Sequence, residues 1–386
     1  MQNYQVGNII EISTERMSFG LAAVGRISPN IVVFVKGAAP GETVRARIMK
    51  KHKNYYDAEI VKIIKPSAAR VNPKCTVFGK CGGCQWQHLS YDEQVRSKKE
   101  ILLYQIHKTT RMDLQTLERL TQIHAAQKEY GYRTRIQARA EKDRFGFYES
   151  GSKNLVDVDR CEVAHQLIQS RWNEFKKNEL PELQKKFEML KIEWSLTKEG
   201  TVLQALNREH AALGFTQINP EQNKVMQTLV HQLALTTASK KVLLDLYGGD
   251  GNLSHSLVGI FEKTFTVDAF NQGVPLDEIN TKLEARILVR TRVAEFLRKK
   301  PWESFGYSTP DCILADPSRD GLQDDAKTIS KIGASQIILV SCEPSKLSRD
   351  LMHFFKNHVI EKIHLIDMFP QTFHIEAIVQ LRRNKA

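Results

Sequence analysis

Residues 337–349 read Ile337-Ile338-Leu339-Val340-Ser341-Cys342-Glu343-Pro344-Ser345-Lys346-Leu347-Ser348-Arg349, and the fold of the C-terminal half turns on them. Four consecutive apolar residues, three of them β-branched, predict a strand buried on both faces, which stops before a polar segment of helical composition. Pro344 suits a first helical turn, because its preset φ is already helical and its missing N–H would be unpaired there. Cys342 then lies between a strand's C-terminal end and a helix N-terminus, where unpaired N–H groups and the helix dipole favour a thiolate. A buried structural cysteine is the other reading of that position.

Outward from this stretch, strand and helix patterns alternate from about residue 216, which argues for an α/β sheet with helices on both faces. The apolar run 241–247 enters Gly248-Gly249-Asp250-Gly251-Asn252, and 253–260 reads as the helix that follows. Glycines at a strand-to-helix turn let a ligand approach the backbone, in dinucleotide enzymes among others. A second strand over 264–267 ends at Asp268, placed to hydrogen-bond ribose hydroxyls. A third, 311–315, ends at Asp316-Pro317-Ser318-Arg319-Asp320-Gly321, and a final pair, 360–367 and 373–381, carries His374-Ile375-Glu376. That closing hairpin suits, by resemblance, the seven-stranded sheet of S-adenosylmethionine-dependent methyltransferases, whose last strand is antiparallel, and the order of these later motifs decides against a dinucleotide fold.

With 386 residues the chain is too long for one ordinary core, so several domains are expected. No apolar run has the length of a membrane span and no signal-peptide pattern opens the sequence, which predicts a cytoplasmic protein. Lysine and arginine outnumber the acids 56 to 44, a net charge of +12, which points to a polyanionic partner. The first 70 residues hold 11 basic and 5 acidic side chains, half of that surplus. Short alternating segments at 6–12, 31–35, 43–48 and 59–64, separated by glycines, predict a small antiparallel barrel over residues 1–66. Arg45, Arg47, Lys50, Lys51 and Lys53 surround one hairpin, followed by Tyr55 and Tyr56. Cations for phosphates beside rings for bases are how small barrels hold RNA.

Of six cysteines, three stand in Cys75-x5-Cys81-Gly82-Gly83-Cys84, and a fourth is Cys161. A reducing compartment excludes a disulfide framework. Three thiols joined by glycines can converge on an iron–sulfur cluster or on tetrahedral zinc. Zinc sites more often come as two short CxxC pairs, and only Cys81 and Cys84 form one. A radical cluster usually needs C-x3-C-x2-C, a spacing absent here.

Several motifs together resemble a known family. Val35-Lys36-Gly37-Ala38-Ala39-Pro40-Gly41-Glu42 is similar to the TRAM domain, an RNA-binding OB-like barrel. Ser67-Ala68-Ala69-Arg70-Val71-x-Pro73-x-Cys75, Cys81-Gly82-Gly83-Cys84, Gln87-His88-x2-Tyr91 and Gly131-Tyr132-Arg133-x-Arg135 resemble the RNA 5-methyluridine methyltransferases. Phe215-x-Gln217-x-Asn219, Asp245-Leu246-Tyr247-x-Gly249-x-Gly251-Asn252, Ser341-Cys342-x-Pro344 and His374-x-Glu376 continue that likeness in order.

The resemblance implies a multi-domain α/β architecture: a TRAM-like barrel over 1–66, a central α+β iron–sulfur domain over 67–215, and a Rossmann-like seven-stranded methyltransferase domain over 216–386. It implies S-adenosyl-L-methionine bound by Gln217, Tyr247, Asp268, Asp316, Gly249 and Gly251, and a [4Fe-4S] cluster on Cys75, Cys81, Cys84 and Cys161. Cys342 is the implied nucleophile and Glu376 the base, with Phe215, Arg319 and Arg133 on the RNA. The expected reaction is methylation of uridine C5 through a covalent Cys–C6 adduct, by a monomer acting on 23S ribosomal RNA. The alternatives are the same reaction on tRNA, or a non-catalytic RNA-binding assembly factor. Ser318 stands where the family usually has a second proline, Gly248 where a cysteine is common, and 271–293 is compressed.

Overall fold

The computed structural model describes residues 4–29, 31–208, 217–279 and 285–384. The N-terminal strands β1 (Ile9–Met17), β2 (Ala22–Ser28), β3 (Ile31–Lys36), β4 (Thr43–Lys51) and β5 (Tyr55–Lys65) form a closed barrel in the order β1-β2-β3-β5-β4. Alternation drives this: in β4, Val44, Ala46 and Ile48 are buried while Arg45, Arg47 and Met49 face out. Two expectations change. The barrel is not wholly antiparallel, because β3 pairs with β5 in parallel to close it. β2 also went unseen, its Gly25 and Arg26 masking the strand pattern. Tyr55 is exposed, stacked on His52 at 4.1 Å and edge-on to Phe34 at 5.4 Å. Tyr56 points inward at 6% exposure and serves the barrel's core instead of a base.

Beyond the barrel come α1 (Tyr91–Thr110), α2 (Leu114–Leu120) and β6 (Thr121–His124), then β7 (Arg135–Glu141), β8 (Arg144–Tyr148) and β9 (Leu155–Asp157). Next are α3 (Gln166–Asn178), α4 (Leu180–Lys186), β10 (Met189–Leu196) and β11 (Val202–Leu206). The last five of these strands make a sheet in the order β11-β10-β7-β8-β9. Its core is aromatic, with Phe145, Trp172, Phe175 and Trp194 packed at ring separations of 4.3 to 6.3 Å.

The C-terminal elements are α5 (Pro220–Leu235), β12 (Val242–Leu246), β13 (Lys263–Asp268), β14 (Val274–Pro275), β15 (Arg286–Arg290), α6 (Val293–Lys299), β16 (Cys312–Ala315), α7 (Asp324–Ile332), β17 (Gln336–Ser341), α8 (Pro344–Leu351), β18 (His358–Ile366) and β19 (Glu376–Arg383). They build a sheet of nine strands, not seven, in the order β14-β15-β13-β12-β16-β17-β19-β18-β6. The last strand, β19, is antiparallel to both its neighbours, as expected. The additions are the two-residue β14 at one edge and β6, which arrives from before residue 125 and pairs in parallel with β18. β12, β16 and β17 are buried at every position, as strands covered on both faces must be. The helix expected over 253–260 is instead a three-residue 3-10 turn, His255–Leu257. Gly259 at φ +83° and a bridge from Val258 to Phe261 turn the chain back.

By compactness the chain forms two units. One comprises Met1–Lys98, Ala126–Glu221 and Phe369–His374; the other comprises Lys99–Ala125, Gln222–Met368 and Ile375–Ala386. The expected boundary at 66 falls just after β5, while that at 215 lies outside the described residues. Among the described residues no helix is long and apolar enough to cross a membrane.

Glu42, with its side chain fully buried, closes the barrel's end. Arg70 binds it through two nitrogens at 2.5 and 2.9 Å, and the Ala39 N–H donates at 2.8 Å. Burial opposes its charge, but Arg70 and Ala39 prevail and hold the carboxyl below the usual carboxylate range. Glu42→Gln is expected to cost about 3 kcal/mol of stability in urea unfolding at neutral pH, because it leaves the guanidinium without its counter-charge. A depressed carboxyl stabilises above its unfolded pKa and loses that contribution as pH falls through the folded one. The gap between wild type and variant therefore narrows on acidification below the carboxylate range.

Candidate active site

The polypeptide leaves β12 toward β13 on one side and crosses to β16 on the other, so the strand order reverses between β12 and β16. Open α/β sheets bind ligands at the carboxyl ends of strands at such a point. Three loops meet there, one after β12, one after β16 and one after β17.

The loop after β12 is held from beneath. Asp245, 1% exposed, accepts a 2.5 Å hydrogen bond from the Ser254 hydroxyl, and burial pushes its carboxyl up to about 6. Arg286 donates to the Thr266 hydroxyl at 3.2 Å and to the Asp250 carbonyl at 2.6 Å. Gly251, at φ +85°, lies so close over that guanidinium that a Cβ would collide with it. Gly249, at φ +53°, has open space where a Cβ would stand, and its N–H donates to Asp268 at 3.2 Å. Tyr247 also adopts a positive φ, +59°, and its hydroxyl donates to Asp325 at 2.5 Å. This glycine-bearing loop, ending in an acid for ribose, fits an adenosine-bearing cofactor.

Asp316 follows β16, and Cys342 follows β17. The antiparallel register pairs Ser341 with Ala377, so Glu376, first residue of β19, falls opposite Cys342 at the strand ends. These groups feel one another. Burial and then Glu376 push the Cys342 thiol up to about 11, with Asp316 adding and Arg319 opposing. Burial and then Asp245 raise Asp316 to about 7, and burial and then Asp316 hold Glu376 well above the usual carboxylate range. The expected thiolate at a helix N-terminus is therefore not the resting form. The dipole of an eight-residue helix contributes up to about 1 kcal/mol, less than burial beside a carboxyl takes away.

α8 braces the loop after β16. Buried Asp350 accepts from the Leu322 N–H at 2.7 Å, and Arg349 donates to the Asp320 carbonyl at 2.9 Å. Ser318 is exposed, and its carbonyl closes a turn with the Gly321 N–H at 2.9 Å. Sequence reasoning missed Arg286, Asp325 and Asp350, which only tertiary packing brings to these loops. It also passed over Phe270, 92% exposed two residues beyond Asp268, whose aromatic character was the available signal.

Other predicted residues lie in the first unit. Gln217 is half-buried there, and Phe215 lies outside the described residues. Cys75, Cys81, Cys84 and Cys161 line one cavity of about 410 Å³, with Arg133 and Gln87. Burial raises Cys81 to about 11 and Cys84 to about 12, the other thiols adding to the effect. Among the described residues no group of three or more His, Cys, Asp or Glu is placed to hold a metal ion.

Fold and glycine loop together define a methyltransferase of the S-adenosylmethionine-dependent class. The tRNA (uracil-5-)-methyltransferase family model matches residues 204–384, and the TRAM domain matches 4–61. An uncharacterized RNA methyltransferase of Bdellovibrio bacteriovorus is 30% identical, over 98% of this chain and 96% of its own. The 23S rRNA (uracil(1939)-C(5))-methyltransferase RlmD of Marinomonas is 28% identical, over 98% and 96%. The Pyrococcus abyssi tRNA (uracil-54, C5)-methyltransferase, solved with S-adenosyl-L-homocysteine, shares the fold at a TM-score of 0.66 and 21% identity, covering 96% of this chain and 99% of its own. The chain belongs to the RNA uracil-5-methyltransferase family, and it is an S-adenosylmethionine-dependent enzyme that methylates uracil C5 in RNA.

Gly251→Ala, which must displace Arg286, is expected to weaken S-adenosylhomocysteine binding at least about tenfold by calorimetry. Arg286→Ala, which frees the loop without adding bulk, should produce a loss in the same direction.

Proposed function

We propose that Cys342 adds to C6 of a uridine in 23S ribosomal RNA and that Glu376 removes the C5 proton after methyl transfer. The observation that carries this reading is the β17–β19 register, in which Cys342 and Glu376 fall opposite each other at the carboxyl end of β17. Uracil C5 is a weak nucleophile until a thiolate bonds to C6 and leaves an electron pair toward C5. C5 takes the methyl, Glu376 takes the C5 proton, and the S–C6 bond breaks to release 5-methyluridine and the thiolate.

S-adenosylmethionine supplies an electrophilic methyl on a cationic sulfur. Tyr247, Gly249, Gly251, Asp268, Asp316 and Gln217 would hold it. Positive charge beside Asp316, Cys342 and Glu376 would favour their ionised forms, opposing the burial and the mutual repulsion that make them hold their protons in the free protein. Arg319, Arg133 and Phe215 are the proposed contacts of the flipped nucleotide and its phosphates.

Cys75, Cys81, Cys84 and Cys161 would hold a [4Fe-4S] cluster in the central segment 67–215, between the barrel at 1–66 and the transferase segment at 216–386. A four-iron cube spreads its thiolates around a volume, and four thiols lining one cavity suit that need. Its contribution would be to pin the loops bearing them. The 23S target rests on the similarity to RlmD along nearly the whole chain, and the enzyme would act as a cytoplasmic monomer. Methylation of tRNA is the second reading, favoured by the description of the matching family model.

RNA carrying 5-fluorouridine, which has no C5 proton to release, should trap the protein in a denaturation-resistant adduct. Cys342→Ala should abolish that adduct, whereas Glu376→Gln should still form it yet turn over natural RNA at least about a hundredfold more slowly. A thiol raised to about 11 is ionised in a fraction that grows with pH. kcat/KM should accordingly climb through the range from pH 7 to about 9. Anaerobically prepared protein should contain iron and sulfide, and Cys84→Ser should lower both.

A further inference from the structure

We infer that the central segment carries a second nucleic-acid site, a pocket on α3 that takes an unpaired RNA base other than the reacting uridine. This inference rests on the RNA-methylating reading above. A cavity of about 420 Å³ lies against the first two turns of α3, within the usual range for small-molecule sites. One wall of it is the half-buried ring of Tyr130.

The helix face lining this cavity has an unusual composition. Gln166, Gln169, Ser170 and Asn173 follow the i, i+3, i+4, i+7 spacing of one stripe, and every one is polar and uncharged. The opposite stripe of the same helix, with Ile168, Trp172 and Phe175, is buried in the core. A purely solvated face in a chain this rich in lysine, arginine and acid would be expected to carry charges. Amides and hydroxyls both donate and accept, as the edges of nucleobases require.

The stripe is also held in place. Gln169 accepts from the Cys161 N–H at 2.9 Å and donates to Asn173 Oδ1 at 3.0 Å, which orients Asn173 with its NH2 unspent. No hydrogen bond engages the side chains of Gln166 or Ser170 among the described residues. At the rim Lys74 lies 4.9 Å from the Tyr130 ring centre and 3.4 Å from Glu162, and Arg160 lies 3.1 Å from that same carboxylate. Two cations share one acid, so the rim keeps a positive excess for the phosphates flanking a base. An aromatic wall, a hydrogen-bonding floor and a cationic rim are the three elements of single-strand base capture.

The test measures fluorescence anisotropy of a labelled single-stranded RNA of mixed sequence with the full-length protein, beside an abasic ribose-phosphate strand of equal length. Tyr130→Ala should weaken binding of the base-containing strand by about five- to a hundredfold, Asn173→Ala by a smaller factor, and Tyr130→Phe should restore it. Binding of the abasic strand and of S-adenosylhomocysteine should not change. Should Tyr130→Ala not fold, the exposed positions Gln166→Ala and Asn173→Ala carry the same comparison. Equal losses on both strands would mean that the cavity reads phosphate, and would overturn the base site. If the wild type binds RNA and all variants bind it as tightly, the pocket proposal alone is lost. If the wild type binds no RNA, the proposed substrate falls with it.

Discussion

β17 runs parallel to β16, and β19 returns antiparallel on its other side with Ser341 opposite Ala377. That register decides which side chains meet at the carboxyl edge of the sheet. It sets the first residue of one strand, Glu376, against the residue just past the end of the other, Cys342. A slip of one position would turn the carboxyl to the opposite face, because strand side chains alternate with a period of two. The register is held by burial: every residue of β17, and β19 as far as Leu381, lies in the core.

The cost of that arrangement is electrostatic. Cys342, Asp316, Glu376 and Asp245 are all groups that become negative on ionising, and they share one poorly solvated corner. Burial first, and then these neighbours, make Cys342, Asp316 and Glu376 hold their protons more firmly, while burial is the main cause for Asp245. Arg319 is the local cation that opposes this. The corner is thus tuned to a state of low charge, and a positive ligand would release protons from it. The glycine loop beside it is braced from beneath, with Arg286, Thr266, Ser254 and Asp245 joined in one hydrogen-bonded chain.

The first unit solves a different problem, that of presenting polar surface from stable supports. Its barrel is locked by a buried carboxylate and an arginine, which frees the outer face of β4 for exposed cations. Its second sheet is packed by interlocking aromatic rings, which leaves the cysteine loops and the outer stripe of α3 available to face cavities. The Cys161 N–H bonded to Gln169 ties one cysteine loop directly to that stripe.

Local pattern alone determined much of this protein. The alternating residues of the barrel, the apolar runs of β12, β16 and β17, Pro344 at the start of α8 and the glycines after β12 each report their own conformation, because burial and φ preference act over a few residues. The candidate motifs after β12, β16 and β17 were legible for the same reason, since each follows a strand that its own composition announces. Only the tertiary structure decided the rest. β6 joins a sheet whose other strands begin more than a hundred residues later, and no local signal reports a partner that distant. The raised thiol of Cys342 was equally hidden, since a helix N-terminus can be read from sequence whereas the burial and the carboxyls that outweigh it are brought in by folding. Arg286 beneath Gly251 and Asp325 on Tyr247 belong to the same class, as contacts set by the packing of elements and not by the elements themselves.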